Sequence, residues 1–183
     1  MFYSEKLQQV VEENLEAEGE IFMIVVDNRG NEFLDFIPVD KINVEEQYEP
    51  ITHCLAVVKI EDDYLMGWNK WRQEWEIFGG CREDNETLKE CIIRECHEEI
   101  GLSDVEYNYL GLMYLKMAPG YFNPSWHYEY GGLYGVTLPK RYLEIIEKYR
   151  TDKEEIEKLA FYKNIKGKEK IAVIDEKLLE YWE

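Results

Sequence analysis

The sequence predicts an α/β or α+β sandwich, a single domain carrying a flank at its N-terminus. Three observations predict it. Strand-like and helix-like patterns alternate along the chain instead of segregating into halves. One helical pattern, at 86–99, holds an apolar stripe and a stop signal. In 183 residues, 45% hydrophobic and 14% aromatic content suffices for a sizeable core despite a net charge of −18.

The elements follow in order. Leu7, Val10, Val11 and Leu15 recur at helical spacing, so 4–17 reads as an amphipathic helix with Ser4 as cap and Gly19 as stop. Residues 21–26 and 32–37 read as two strands around the turn Asp27-Asn28-Arg29-Gly30-Asn31. A polar stretch over 38–50 holds Pro38 and Pro50 and marks a boundary. It divides a flank, 1–50, built of helix plus hairpin, from a domain at 51–183. In the domain, 54–60 and 64–68 are strands around Glu61-Asp62-Asp63, and 75–78 is a short strand. Helix 86–99 starts with Asn85 as N-cap. Residues 107–116 and 127–138 are β-rich, parted by a loop with Pro119, Gly120, Asn123 and Pro124. Helix at 140–149, strand at 158–163 and helix at 175–182 complete the chain.

Composition excludes several functions. So acidic a chain offers no broad basic face for a nucleic-acid backbone. A small phosphorylated ligand stays possible, because a bound cation inverts the local field. The aliphatic run at 21–26 falls short of the roughly 18 residues that span a bilayer, so no membrane segment is expected. Glu5, Glu12 and Glu13 interrupt the place where a signal peptide would be apolar. Cys54, Cys81, Cys91 and Cys96 form no CxxC pair, which fits reduced thiols and a cytoplasmic location.

Helix 86–99 is where ordinary patterning fails. Leu88, Cys91 and Ile92 begin an apolar stripe, and at about 100° per residue Glu95, Glu98 and Glu99 fall on its continuation. Three carboxylates crowd the C-terminal turns, where the helix dipole disfavours each by roughly 0.3–1 kcal/mol. Arg94 offsets one of them. Two explanations compete: a solvated acidic face, or a set of hard oxygen ligands gathered for Mg²⁺ or Mn²⁺.

The surrounding pattern weighs on the choice. From Gly80 the chain runs through Glu86, Arg94-Glu95, Glu98-Glu99 and Gly101-Leu102 with the spacing G-x5-E-x7-R-E-U-x-E-E-x-G-U, where U is bulky and aliphatic. This resembles the Nudix box, Cys96 being the mild departure. Similarity of strand order extends over about 54–165. The resemblance implies an α/β/α sandwich with a mixed sheet, and an enzyme hydrolysing phosphoanhydrides. It implies that Glu95, Glu98 and Glu99, with the Gly79 carbonyl, bind Mg²⁺ or Mn²⁺, and that Glu86 and Arg94 form an ion pair locking loop to helix. Phe78 stands where many members have proline.

The implied substrate is a nucleoside diphosphate derivative. Pro119-Gly120 after the box resembles ADP-ribose and sugar-nucleotide pyrophosphatases; a sanitising nucleoside triphosphate pyrophosphatase of MutT type and a silent nucleotide sensor are the alternatives. The resemblance leaves the base open between one of Glu95, Glu98 and Glu99 and, as in some members, a later loop; here Glu154 and Glu155 occupy that place, their alternative being a solvated charged turn, with Glu129 and Glu83 as lesser candidates. Arg72, Trp71, Tyr121 and Glu129 are candidate substrate contacts; Lys70, Trp68, Trp75 and Trp126 are further candidates whose alternative is plain packing or solvation. His53, His97 and His127 read as ordinary polar residues. Members often pair, so a homodimer is expected.

Overall fold

The computed structural model describes residues 23–38, 47–120 and 123–183. The helix expected at 4–17, its stop at Gly19 and the first residues of the 21–26 strand lie outside them. Among the described residues, nine strands form one sheet. They are β1 (Val25–Val26), β2 (Glu32–Pro38), β3 (Ile51–Ile60), β4 (Asp63–Asn69), β5 (Glu74–Glu76), β6 (Phe78–Cys81), β7 (Asn108–Met117), β8 (His127–Leu138) and β9 (Ile156–Phe161). The helices are α1 (Leu88–Ile100), α2 (Tyr142–Tyr149), α3 (Tyr162–Ile165) and α4 (Val173–Leu178), the last continuing as a 3₁₀ turn, Leu179–Tyr181.

The sheet is mixed. Its order is β1-β2-β7-β8-β3-β4-β5, with β6 also on β3 and β9 on β4. β3 and β8 run parallel, Leu55 opposite Leu133, while the other pairs are antiparallel. The hairpin read as part of a flank extends this same sheet: Phe33 pairs with Leu115 and Ile37 with Leu112 on β7.

Alternation along the central strands sets two layers. Cys54, Ala56 and Val58 face one way, with Leu112 and Tyr114 of β7, and pack on Leu88, Cys91, Ile92, Cys96 and Ile100 of α1 and Ile146 of α2. Val57, Met113, Leu115 and Leu133 face the other way, onto Ile165, Leu178 and Leu179 of the C-terminal segment. Each fully buried Leu or Ile of α1 contributes about 1.5–3 kcal/mol. That burial holds the box helix flat against β3 and β6.

Some boundaries differ from expectation, for local reasons. Asn85 is not the N-cap; it sits in the preceding turn at φ +65°. Thr87 caps instead, its hydroxyl accepting from the Glu90 N–H while the Glu90 carboxylate accepts from the Thr87 N–H. The strand expected at 75–78 splits at Ile77, whose N–H donates to the Asp175 carboxylate rather than to a neighbouring strand. The strand expected at 158–163 runs earlier, and α3 takes over at Tyr162. The helix expected at 175–182 begins at Val173 and tightens into its 3₁₀ turn at Leu179.

Candidate active site

β6 brings the chain to the site through Gly79 and Gly80. Gly79 sits at φ +135°, and a Cβ there would lie 2.0 Å from the Cys54 carbonyl oxygen. A Cβ on Gly80 would lie 2.6 Å from Glu95 Oε1. Glycine at 80 lets the strand touch the box helix with no side chain between, while glycine at 79 lets it close on the backbone of β3.

The three carboxylates of α1 part company. Glu99 is 4% exposed, and its Oε2 accepts from the Gly79 N–H at 2.8 Å. Burial drives its carboxyl well above the ordinary range, and the charges of Glu76, Glu95 and Glu155 drive it further. Glu95 is half-buried. Desolvation raises its pKa, opposed by Arg94 and aided by Glu98 and Glu155. The Glu98 side chain is 49% exposed. A solvated acidic face would leave all three in water; Glu99 is not.

Arg94 governs the outer edge. Its guanidinium grips Glu86 with Nε at 2.8 Å and Nη2 at 3.0 Å, and Nη1 reaches Glu95 Oε1 at 2.7 Å. Arg94 holds the Glu86 carboxyl down to about 2. Nη2 also donates to the Cys81 carbonyl, tying helix to loop. Gly101 closes α1 in the left-handed conformation.

A second loop faces the helix. The Thr151 and Asp152 N–H groups both donate to the Glu98 carbonyl, one of the acceptors that a helix end leaves open. The Asp152 carboxylate accepts from the N–H groups of Glu154 and Glu155, fixing the turn. Glu155 thereby faces inward and raises Glu95 and Glu99, whereas Glu154 lies exposed 3.9 Å from Lys70.

Asn69, Glu76 and Asp175 belong to this neighbourhood, and sequence reasoning passes over all three. Asn69 is fully buried and donates to Glu76 at 2.6 Å and to Glu155 at 3.0 Å. Glu76 also accepts from Arg72 Nη1 at 2.9 Å. Asp175 has its carboxyl pushed up to about 7 by burial, then by the charge of Glu76. The signal for Glu76 was available: an acid inside the apolar run Trp75-Glu76-Ile77-Phe78 of a strand. Asp175 gives none, since its partner Ile77 is 98 residues away.

The candidate substrate contacts scatter. The Arg72 side chain, 52% exposed, bonds Glu76 and lies near Glu155, Asp175 and His53. Trp71 is 68% exposed, and Tyr121 lies outside the described residues. Glu129 is buried between His127 Nε2 at 3.2 Å and His53 Nδ1 at 3.6 Å. Burial pushes His53 down, Glu129 opposing it. So His53 and His127 form part of a polar clamp, while His97 is exposed on α1. Glu83 is an exposed neighbour of Arg94 at 3.9 Å. Trp75 is core, edge-on to Trp68, and Trp126 lies exposed under Lys116.

The donor set suits Mg²⁺ or Mn²⁺, being oxygen throughout. Among the described residues Glu99 has no cationic partner, and Glu76, Glu95, Glu99 and Glu155 sit close enough to disfavour one another's charge. A cation placed among them would relieve both the desolvation and the repulsion. Among the described residues, no three acidic, histidine or cysteine side chains already stand in the tight grouping of a metal cage.

This combination defines a class: a hydrolase of phosphoanhydride bonds, with a glycine-bearing strand leading to a carboxylate-bearing helix on a mixed sheet. The chain belongs to the Nudix family, since residues 50–177 match the NUDIX domain. No curated protein matches the sequence. Solved structures share the fold at low identity. The Bacillus subtilis pyrophosphohydrolase BsRppH, crystallised as a point mutant, has a TM-score of 0.59 at 15% identity, covering 86% of this chain and 93% of its own. The MutT NUDIX hydrolase of Burkholderia pseudomallei has 0.54 at 15%, covering 73% and 98%. The NUDIX domain of Shewanella oneidensis NrtR, solved with ADP ribose, has 0.54 at 10%, covering 78% and 92%. No helix among the described residues is long and apolar enough to cross a membrane.

Proposed function

We propose that the chain cleaves the diphosphate linkage of a nucleoside diphosphate derivative, of ADP-ribose or sugar-nucleotide type, by water attack on phosphorus, and that it needs Mg²⁺ or Mn²⁺. The observation that carries the reading is the buried Glu99 carboxylate, bonded to the Gly79 N–H and close to Glu95 of its own helix and to Glu155 of the second loop, where Gly80 leaves room for Glu95. Such a divalent ion, when bound, polarises phosphate oxygens and acidifies a water.

The chain's own groups do the rest. Glu95, Glu98 and Glu99 would hold the cation with the Gly79 carbonyl. Arg94 keeps Glu95 oriented and anchors the loop through Glu86. Glu155 stands opposite on its own rigid loop and takes a proton from the attacking water. Arg72 has donors to spare beyond its bond to Glu76, and its half-exposed guanidinium suits a phosphate oxygen. Glu129, fixed between two histidines, offers an acceptor to the rest of the ligand. The substrate preference is supported by the Pro119-Gly120 loop and by the ADP ribose bound in the NrtR domain. A nucleoside triphosphate pyrophosphatase is the second reading, favoured by the MutT hydrolase and by the E. coli dihydroneopterin triphosphate pyrophosphohydrolase, which share the fold at TM-scores of 0.54 and 0.53. The free cysteines among the described residues fit a cytoplasmic enzyme.

The test is turnover of ADP-ribose, sugar nucleotides, dinucleoside polyphosphates, nucleoside triphosphates and capped RNA with Mg²⁺ or Mn²⁺, products identified. AMP with a sugar phosphate supports the first reading. Pyrophosphate with a monophosphate moves the substrate to the second. No turnover under either ion removes both.

A further inference from the structure

The Asn69 amide is saturated from two sides. Its Oδ1 accepts from the N–H groups of Trp71 and Arg72, both at 2.9 Å. Its Nδ2 donates to Glu76 Oε1 and Glu155 Oε1. Two N–H groups on one side and two carboxylates on the other fix which end is oxygen. The residue has 0% exposure. It ends β4, pairing with Glu74 on one side and Ile156 on the other, and its own carbonyl accepts from the Gln73 N–H. One buried side chain therefore joins the turn that presents Arg72 to the loop that presents Glu155.

Few other bonds aim the Glu155 carboxylate. Its N–H is held by Asp152 and its carbonyl accepts from the Lys70 N–H, but both fix backbone. Among the described residues, Asn69 Nδ2 is the donor that holds the carboxylate itself. A carboxylate free to turn would swing from Glu95 and Glu99 toward water, because mutual repulsion favours it.

We propose that Asn69 is a positioning residue: its amide aims Glu155 at the box-helix carboxylates and, through the turn, sets where Arg72 stands. The inference rests on the reading of Glu155 as the site's loop carboxylate. Asn69→Asp keeps the acceptor for Trp71 and Arg72 but turns an oxygen on Glu76 and Glu155; Asn69→Ala removes the donor without adding charge.

The experiment has two arms. In the first, the full chain with Mn²⁺ and ADP-ribose is assayed as wild type, Asn69→Asp, Glu155→Gln and the double variant. Asn69→Asp should lower kcat by about 10–100-fold, the usual cost of losing an outer-shell partner, with KM changed little. In the Glu155→Gln background it should add almost nothing, since coupled residues are not additive. In the second, crystal structures of both Asn69 variants without substrate should show the Glu155 carboxylate displaced and the fold kept. Equal losses in both backgrounds, a Glu155 that stays in place, or two variants that do not fold would overturn the proposal. A fully active Glu155→Gln instead overturns the role given to Glu155, and a wild type inert toward ADP-ribose the substrate reading; the crystal arm judges Asn69 in either event.

Discussion

Single side chains here carry opposite relations to charge. Glu98 is half in water, so its loss should cost little stability, and under the proposed function it should cost turnover. Glu98→Gln should lower turnover by at least about 10²-fold with an unchanged melting curve; an active variant removes its role. Glu99 is the reverse. Its folded carboxyl binds a proton more tightly than the unfolded one, so without metal, stability falls as pH rises above the ordinary carboxylate range. Glu99→Gln should therefore melt higher than wild type in EDTA at neutral pH. Added Mn²⁺ should raise the wild-type melting temperature and raise the variant's less. Differential scanning calorimetry with and without the ion checks both.

At the scale of elements, caps and packing can be separated from chemistry. The Thr87 capping box satisfies N–H groups at the start of α1 and lies apart from Glu95 and Glu99. Thr87→Ala should cost about 1 kcal/mol, read by denaturant unfolding, with kcat preserved. The C-terminal helix reports on pH. Asp175 faces Glu76, Glu74 and Arg72 and accepts from the Ile77 N–H; its folded carboxyl lies near 7 against 3.8 unperturbed. It binds the proton more tightly when folded, so stability is full at low pH and declines as pH rises toward about 7. Asp175→Asn keeps an acceptor for Ile77 and should melt higher than wild type at pH 8, the gap closing near pH 4.

The whole molecule carries −18 and is asked to accept an anion. Long-range repulsion slows that encounter, and salt screens it. With saturating Mg²⁺, kcat/KM should rise when KCl increases from 50 to 200 mM, the opposite of an attractively steered enzyme. A stopped-flow or steady-state salt series reads this directly, and a fall would mean that local cations such as Arg72 dominate the approach. The same scale joins distant segments. Glu74, buried at the end of the sheet, bonds both Arg29 of the N-terminal hairpin turn and Lys170 of the C-terminal segment.

Local signals in the sequence determined local things. The spacing from Gly80 to Leu102 announced the box because its residues lie within a few turns of one another, where period and cap chemistry act directly. The strands at 54–60, 64–68 and 127–138 were legible from alternation for the same reason. The T-x-x-E cap at Thr87 was present too, but the neighbouring Asn85 is the stronger cap former by composition alone. Tertiary structure decided which carboxylates meet. Glu99 is buried where β6 crosses the helix and the Gly79 N–H meets its carboxylate, and Glu155 becomes its neighbour because the Glu98 carbonyl and Asn69 hold a loop more than fifty residues downstream. Burial and mutual repulsion depend on distance through space, which the linear order does not contain; the sequence supplied the acids, and the folded sheet brought them together.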